Sequence, residues 1–306
     1  MDLNSIAYHR CEFKKLSDCN VNIATHALQY GTAVFGGIRG YYSESQKNLL
    51  IFRMDRHFRR LHQSAKMMQM IPPLGEKEMA NILIQVARLN NYRQNVYFRP
   101  YLYKSATQLS PRFHDVKDDF SLYSLKMDDY LDTNKGLSVC VSSWRRIDDN
   151  IIPTRGKVSG GYANSGLAKS EAVQNGYDEA IFLDTRGFVC EGSAENIFLV
   201  REGTLITPPV SASVLEGVTR RSVMEIAKSE GIPVEERDIA RAELYIADEV
   251  FFTGTGAQIA WISAVDKRVI GEGNIGTITE RLRKRFIASV LGEDAEFKSW
   301  VTPVYE

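Results

Sequence analysis

Two stretches of this sequence carry side chains of the type and order needed for chemistry on a pyridine aldehyde: Thr154-Arg-Gly-Lys157 and, about thirty residues downstream, Glu191-Gly-Ser-Ala-Glu-Asn196. A lysine amine can condense with an aldehyde to a Schiff base. A carboxylate fixed beside a pyridine nitrogen keeps that nitrogen protonated, which makes the ring an electron sink. Lys157 is flanked by Gly156 and Val158 in a segment ending Ser159-Gly-Gly161, so little bulk stands near its amine. Its reactivity requires an uncharged amine near neutral pH, which burial and a cationic neighbour such as Arg155 would promote. Glu191 follows the apolar Phe188-Val-Cys190 and precedes a glycine, a position that would bury its carboxylate in part. Each residue also has an ordinary reading, Lys157 as a solvated surface charge and Glu191 as a hairpin glutamate facing water. Agreement with other signals has to decide.

Glu216-Gly-Val-Thr-Arg220 offers a glycine turn, a threonine and a helix start at one spot, where free N–H groups and the helix dipole favour an anion such as phosphate. Val218 and Thr219 are the natural cradle residues, and Arg60 could add a bidentate cation; glycine before threonine also describes an ordinary helix start. Thr253-Gly-Thr-Gly256 ends a β-rich run, and its two glycines permit a turn whose amides converge on a carboxylate or phosphate oxygen, with the Thr255 hydroxyl beside them. It is not a dinucleotide-binding loop, since no third glycine follows and it closes a strand rather than opening a helix. Tyr97 and Arg99 are two apart on a strand, so they share a face and could grip a substrate carboxylate; the plain alternative is an amphipathic strand. Tyr30, Phe35, Tyr130 and Tyr162 would by default be core aromatics.

The elements that must hold these residues are legible from periodicity. Met54, Phe58, Leu61, Ala65 and Met68 repeat at helical spacing, which predicts a helix over 54–70 ended by Pro72-Pro73, with a second over 76–90. A β-rich run covers 95–103, a charged loop 106–119, and strands 121–126 and 137–143. Further strands are expected over 179–183, 196–201, 204–207 and 249–253, and helices over 164–174 and 218–229. Asp184-Thr-Arg-Gly187 predicts a tight hairpin with glycine at positive φ. The chain thus reads as α/β (α+β), with a small N-terminal domain over 1–127, a polar linker at 128–134 and a large C-terminal domain over 135–306 that carries Lys157.

Composition narrows the function classes. With 306 residues, 44% hydrophobic and 25% charged, the chain can bury two cores. Lys plus Arg equals Asp plus Glu at 38 each, so no net field would attract nucleic acid. The polar start and the lack of a long apolar run predict a cytoplasmic protein without a membrane anchor. The scattered Cys11, Cys19, Cys140 and Cys190 suit neither a zinc site nor a disulfide framework. His57 and His62 are five apart rather than four, so no metal is expected.

Taken together, His26-Ala-Leu-Gln-Tyr-Gly-Thr-Ala-Val-Phe-Gly-Gly-Ile-Arg39, Arg60-Leu-His-Gln-Ser-Ala65, Tyr97-Phe-Arg99, Lys157, Glu191 to Asn196, Gly217-Val-Thr219 and Asp248 to Thr255 resemble the branched-chain amino acid aminotransferases. These are class IV, fold type IV enzymes dependent on pyridoxal 5'-phosphate. The resemblance implies a two-domain fold like that of D-amino acid aminotransferase, with the cofactor in the interdomain cleft. It also implies a homodimer or larger homo-oligomer whose loops, the one at 106–119 among them, close the partner's site. It makes Lys157 the covalent and catalytic residue, and Arg60, Val218, Thr219 and Thr255 the phosphate ligands. Glu191, with Asn196 in the same motif, serves the ring nitrogen, and Tyr162 lies beside the ring. Tyr97, Arg99 and the amides of Thr255 and Gly256 take substrate carboxylates, while Tyr30, Phe35 and Tyr130 line the pocket. The expected reaction moves the amino group of leucine, isoleucine or valine to 2-oxoglutarate.

Two departures from the family pattern, Gly36 in place of an acidic residue and Met127 in place of an aromatic, predict a roomier pocket. They keep an (R)-selective amine or D-amino acid aminotransferase open as an alternative. An aminodeoxychorismate lyase is a further competitor from another reaction class, and a silent scaffold is disfavoured because every reactive position is occupied.

Overall fold

The computed structural model describes residues 1–127 and 135–305. The expected linker at 128–134, and with it Tyr130, lies outside the described residues. The chain divides into two compact units. One comprises Met1–Asp128, Gly156–Gly160 and Ala288–Glu306; the other comprises Asp129–Arg155 and Gly161–Ile287.

The first unit is an antiparallel sheet backed by two helices. Its strands are β1 (Ile6–His9), β2 (Glu12–Lys15), β3 (Ala33–Phe35), β4 (Ile38–Ser43), β5 (Asn48–Phe52), β6 (Val96–Lys104) and β7 (Asp118–Lys126), with a C-terminal strand Val301–Pro303 on β5. A short helix α1 (His26–Tyr30) precedes β3, and α2 (Met54–Met67) and α3 (Glu76–Leu89) connect β5 to β6. Both β3 and β4 pair with β6, through Phe35↔Tyr101 and Ile38↔Phe98, and the chain breaks between them at Gly36-Gly37. Pro100 sits at that break. It lacks an N–H, so a central strand tolerates it only where the partner ladder is interrupted. Its carbonyl still accepts from the Gly36 N–H at 2.9 Å.

The buried stripe of α2 holds Met54, Phe58, Leu61 and Ala65 as the spacing predicted, and also the polar His57 and Ser64. The helix ends at Met67, three residues short of the expected 70, before the prolines are reached. Gln69 adopts a left-handed φ of 48°, and the N–H groups of Met68 and Met70 turn back onto Ser64 and Ala65 carbonyls, which satisfies the open end. The loop expected over 106–119 is shorter, since β7 begins at Asp118. Its base is pinned by the buried Lys104 ammonium, which donates to the Gln69 and Val116 carbonyls and to Asp118.

The second unit holds a mixed nine-stranded sheet. Its members are β8 (Leu137–Arg145), β9 (Glu179–Leu183), β10 (Val189–Gly192), β11 (Asn196–Arg201), β12 (Thr204–Thr207), β13 (Val234–Glu236), β14 (Glu249–Gly254), β15 (Gln258–Val265) and β16 (Arg268–Val269). The order is β10-β9-β8-β15-β14-β11-β12-β13, with β8 parallel to both its neighbours and β16 on β15. The helix α4 (Tyr162–Gln174) packs on β8 and β9, and α5 (Val218–Ser229) packs on β13 and β14. An apolar core joins Val139, Ile181, Leu199, Val250, Phe252 and Ile262. The hairpin between β9 and β10 forms as expected, with Gly187 at φ 92° and its N–H on the Asp184 carbonyl at 3.1 Å.

Candidate active site

In the first unit Lys157 is held by its backbone from two sides. Its carbonyl accepts from the Phe35 N–H at 3.0 Å, next to an antiparallel bridge between Val34 and Val158, and its N–H donates to Ser64 Oγ on α2 at 3.2 Å. Ser64 in turn donates to the Arg60 carbonyl at 2.9 Å, so the lysine backbone and the Arg60 turn are tied through one hydroxyl. The half-buried Lys157 Nζ lies 5.2 Å from the centre of the Phe35 ring. The Arg99 guanidinium lies over the same ring at 4.5 Å and donates to the Tyr97 hydroxyl at 3.1 Å. Tyr97 is 7% exposed, which removes the reading of a solvated strand face. Tyr30, on α1, is 39% exposed and lies against His26, with ring centres 4.8 Å apart.

Gly37, rather than Gly36, is the glycine that shapes this group. A Cβ at Gly37 would stand 2.0 Å from the Tyr97 hydroxyl, so only glycine lets that hydroxyl sit where Arg99 can reach it. At Gly36 a Cβ would meet the Pro100 ring at 2.8 Å. The roomier pocket expected from Gly36 is therefore corrected: the space beside its Cα is already filled by proline.

His57 is 2% exposed and neither ring nitrogen has a hydrogen-bond partner among the described residues. Burial, reinforced by the charges of Arg60, Lys157 and Arg53, pushes this imidazole well below its ordinary value, so it is neutral. A buried imidazole with both nitrogens unspent and several cations around it suits an anionic ligand better than more protein. Among the described residues no cluster of His, Cys, Asp and Glu could hold a metal ion.

In the second unit Glu191 lies on β10 and is 5% exposed, not the water-facing glutamate of its ordinary reading. Its Oε2 accepts from Asn196 Nδ2 at 3.2 Å and from the Leu215 N–H at 3.0 Å, and Arg146 Nε stands 2.9 Å from its Oε1. Asn196 also donates to the Leu215 carbonyl at 2.9 Å, clamping β11 to the segment that leads into α5. A Cβ at Gly217 would fall 2.0 Å from Asn196 Oδ1, so that close approach requires glycine. Gly217 is the N-cap of α5 and no side chain caps the helix, while Val218 and Thr219 in its first turn are buried. Arg155, expected as a cationic neighbour of Lys157, forms an ion pair with Glu216 at 2.9 Å.

Thr255 and Gly256 form the turn between β14 and β15, whose register closes at Gly254↔Gln258. The positive φ there falls on Gln258 at 55° and not on either glycine. The Thr253 hydroxyl just before the turn is buried without a hydrogen-bond partner among the described residues. Tyr162 opens α4 and is half-buried. Arg146, Ser64, His57 and Gly37 had no part in the sequence reading of the site. Ser64 and Gly37 lie within quoted motifs, His57 on α2 and Arg146 just past β8, but only tertiary structure brings Arg146 to Glu191 and Ser64 and His57 to Lys157.

The donor set fits pyridoxal phosphate. An uncapped, buried helix start and an orphaned hydroxyl suit phosphate oxygens, a lysine beside a cationic and aromatic group suits an aldehyde, and a buried, ion-paired carboxylate suits a pyridinium.

The comparisons agree with that chemistry. A family model described as amino-transferase class IV matches residues 34–265. A probable branched-chain-amino-acid aminotransferase of Aquifex aeolicus is 42% identical over 98% of this chain and 97% of its own length. The crystal structure of a branched-chain aminotransferase from Thermoproteus uzoniensis, with norvaline, superposes with a TM-score of 0.95 at 37% identity, covering 98% of this chain and 99% of that one. That of a branched-chain amino acid aminotransferase from Thermobaculum terrenum, in its PLP-bound holo form, also gives 0.95, at 35% identity and covering 100% of each chain. With two mixed α/β units and a family match across most of its length, the chain belongs to the class IV aminotransferases.

Proposed function

We propose that this chain is a pyridoxal phosphate-dependent branched-chain amino acid aminotransferase, moving the amino group of leucine, isoleucine or valine to 2-oxoglutarate in a ping-pong cycle. The observation that carries the reading is the seating of Lys157 beside Phe35 and the Tyr97–Arg99 pair, in a chain 42% identical over 301 residues to a probable enzyme of that kind. When bound, the cofactor supplies an aldehyde that condenses with amines and a protonated ring that withdraws electrons.

Arg60, the first-turn residues Val218 and Thr219, and Thr255 would hold its phosphate. Glu191, supported by Asn196, would hold the ring nitrogen, and Tyr162 would lie beside the ring. Lys157 would bind covalently, then, once displaced by the incoming amine, would accept the substrate Cα proton on Nζ and deliver it to the carbon of the cofactor's former aldehyde. The backbone bonds of Lys157 to Phe35 and Ser64 keep that amine in place through the cycle. Tyr97, Arg99 and the Thr255 and Gly256 amides would orient substrate carboxylates, with Tyr30, Phe35 and Tyr130 facing the side chain. An apolar and an acidic side chain must use one pocket. Arg99 serves both, its charge stacked on Phe35 and its Nη2 spent on the Tyr97 hydroxyl.

A homodimer with loops shared between sites belongs to the same proposal. Leu109, at the exposed tip of the loop pinned by Lys104, is 81% exposed and offers an apolar contact to a second subunit. Gly36, packed on Pro100, no longer favours the amine-accepting alternative. A donor panel with 2-oxoglutarate as acceptor tests the reading: leucine, isoleucine and valine should each yield glutamate, while (R)-1-phenylethylamine and D-amino acids lag. Absence of glutamate with all three branched-chain donors overturns it, and pyruvate released from aminodeoxychorismate without an acceptor would indicate the lyase instead.

A further inference from the structure

We propose that Arg146 is a positioning residue for the reaction, acting through Glu191: it keeps that carboxylate anionic in the apoprotein, so that pairing with a pyridinium requires no proton release. The inference rests on the function proposed above and concerns two residues of one unit. The Glu191 carboxyl is buried, and burial alone drives a carboxyl to take up a proton. Its Oε2 receives two neutral N–H donors, from Asn196 and Leu215, which fix direction but bring no full charge. Arg146 brings that charge to Oε1 at 2.9 Å, with side-chain exposures of 11% for the arginine and 6% for the glutamate.

The arginine is held independently of its partner. Its backbone N–H donates to the Leu183 carbonyl at 2.9 Å, and its guanidinium carbon lies 5.6 Å over the Phe182 ring. Nε and Nη1 make no aligned hydrogen bond among the described residues despite the short ion-pair distance, so the contact acts through charge more than through directed bonds. Cys190 on the same strand is pushed well up by burial and by Glu191 itself, so it stays a neutral thiol, and Asp184 acts on Cys190 in the same sense.

Without the arginine, Glu191 in the apoprotein should accept a proton as pH falls, and cofactor binding must then expel it. The test is the dissociation constant of pyridoxal phosphate for the apoprotein from pH 5.5 to 8.5, read by absorbance for the unaltered chain, Arg146→Met, Arg146→Gln and Arg146→Lys. The ratio of the Met or Gln variant to the unaltered protein should climb by up to about tenfold for each pH unit below the point of proton uptake. Arg146→Lys should hold its ratio flat. A Met or Gln ratio constant across the range would show a merely structural arginine and overturn the proposal. Failure of the unaltered chain to bind the cofactor at any pH would instead sink the functional reading beneath it. If Arg146→Met does not fold, the Gln and Lys variants carry the same comparison.

Discussion

Around Glu191 both carboxylate oxygens have protein partners within 3.2 Å, whereas around Lys157 cations gather while hydrogen bonds stay unmade. His57 leaves both nitrogens unspent and Arg99 leaves Nε unspent among the described residues. The two regions have the same task of meeting a small charged molecule. One is finished in the sense that its buried carboxylate already has a cation of the protein beside it, although Arg146 Nε and Nη1 make no aligned hydrogen bond among the described residues. The other leaves a neutral imidazole without a hydrogen bond among the described residues. A finished cluster should therefore resist change at a cost in folding, and an unfinished one should lose chemistry while keeping its fold.

Lys157→Ala is the sharpest test of the unfinished side. The backbone bonds to Phe35 and Ser64 do not need the side chain. Turnover with leucine should fall by at least about a thousandfold, with loss of the visible absorbance of the loaded enzyme. Stability, read by chemical denaturation, should stay within about 1 kcal/mol. An active Lys157→Ala protein would defeat the assignment.

Glu191→Gln should behave in the opposite way. It keeps the shape but strands the Arg146 charge in a buried place, so stability should drop by about 3 kcal/mol as well as activity by about a hundredfold. If denaturation midpoints for the glutamine variant and the original coincide, the contrast between the clusters fails even where activity is lost.

Smaller effects come from the carboxylate grip. Arg99→Leu should lower kcat/KM for 2-oxoglutarate by about 10–100-fold and spare the leucine half-reaction more, since a charge-assisted hydrogen bond is worth about 1.5–3 kcal/mol. Gly37→Ala should mimic it more weakly, because its Cβ would displace the Tyr97 hydroxyl that Arg99 holds. Gly36→Ala instead presses on Pro100 and should act on stability. Steady-state kinetics with each acceptor separates these outcomes.

What the sequence made legible follows from range. The strands 179–183, 196–201 and 204–207 and the helix 218–229 end where their apolar patterns, turn glycines and caps say they should, because those signals are local. The α2 terminus is not legible in the sequence, because Gln69 in a left-handed turn carries no residue-type signal. The motif residues were legible, but their support was not. Arg146 meets Glu191 across 45 positions of chain through strand pairing alone, the Leu215 N–H is a backbone group invisible in side-chain types, and two adjacent glycines look alike until Tyr97 chooses between them.

The smallest effect reads the unfinished cluster through pH. His57 is neutral in the folded apoprotein because burial, then Arg60, Lys157 and Arg53, all disfavour its charge, while in the unfolded chain it titrates near the ordinary value of 6.5. Above that pH neither state binds the proton, and stability is unaffected by it. As pH falls through 6.5 the unfolded state gains a proton that the folded state refuses, so stability declines by up to about 1.4 kcal/mol per pH unit, until the depressed folded value is reached. His9, also lowered, adds a loss of the same sign, but the lowered carboxylates such as Glu171 and Glu243 begin to matter only nearer 4.5. Denaturation of the apoprotein at pH 7.5 and 5.5 should thus show a smaller acid loss for His57→Leu than for the unaltered chain. Equal losses would mean that His57 takes up its proton in place, and that the cations around it leave more room for charge than the geometry allows.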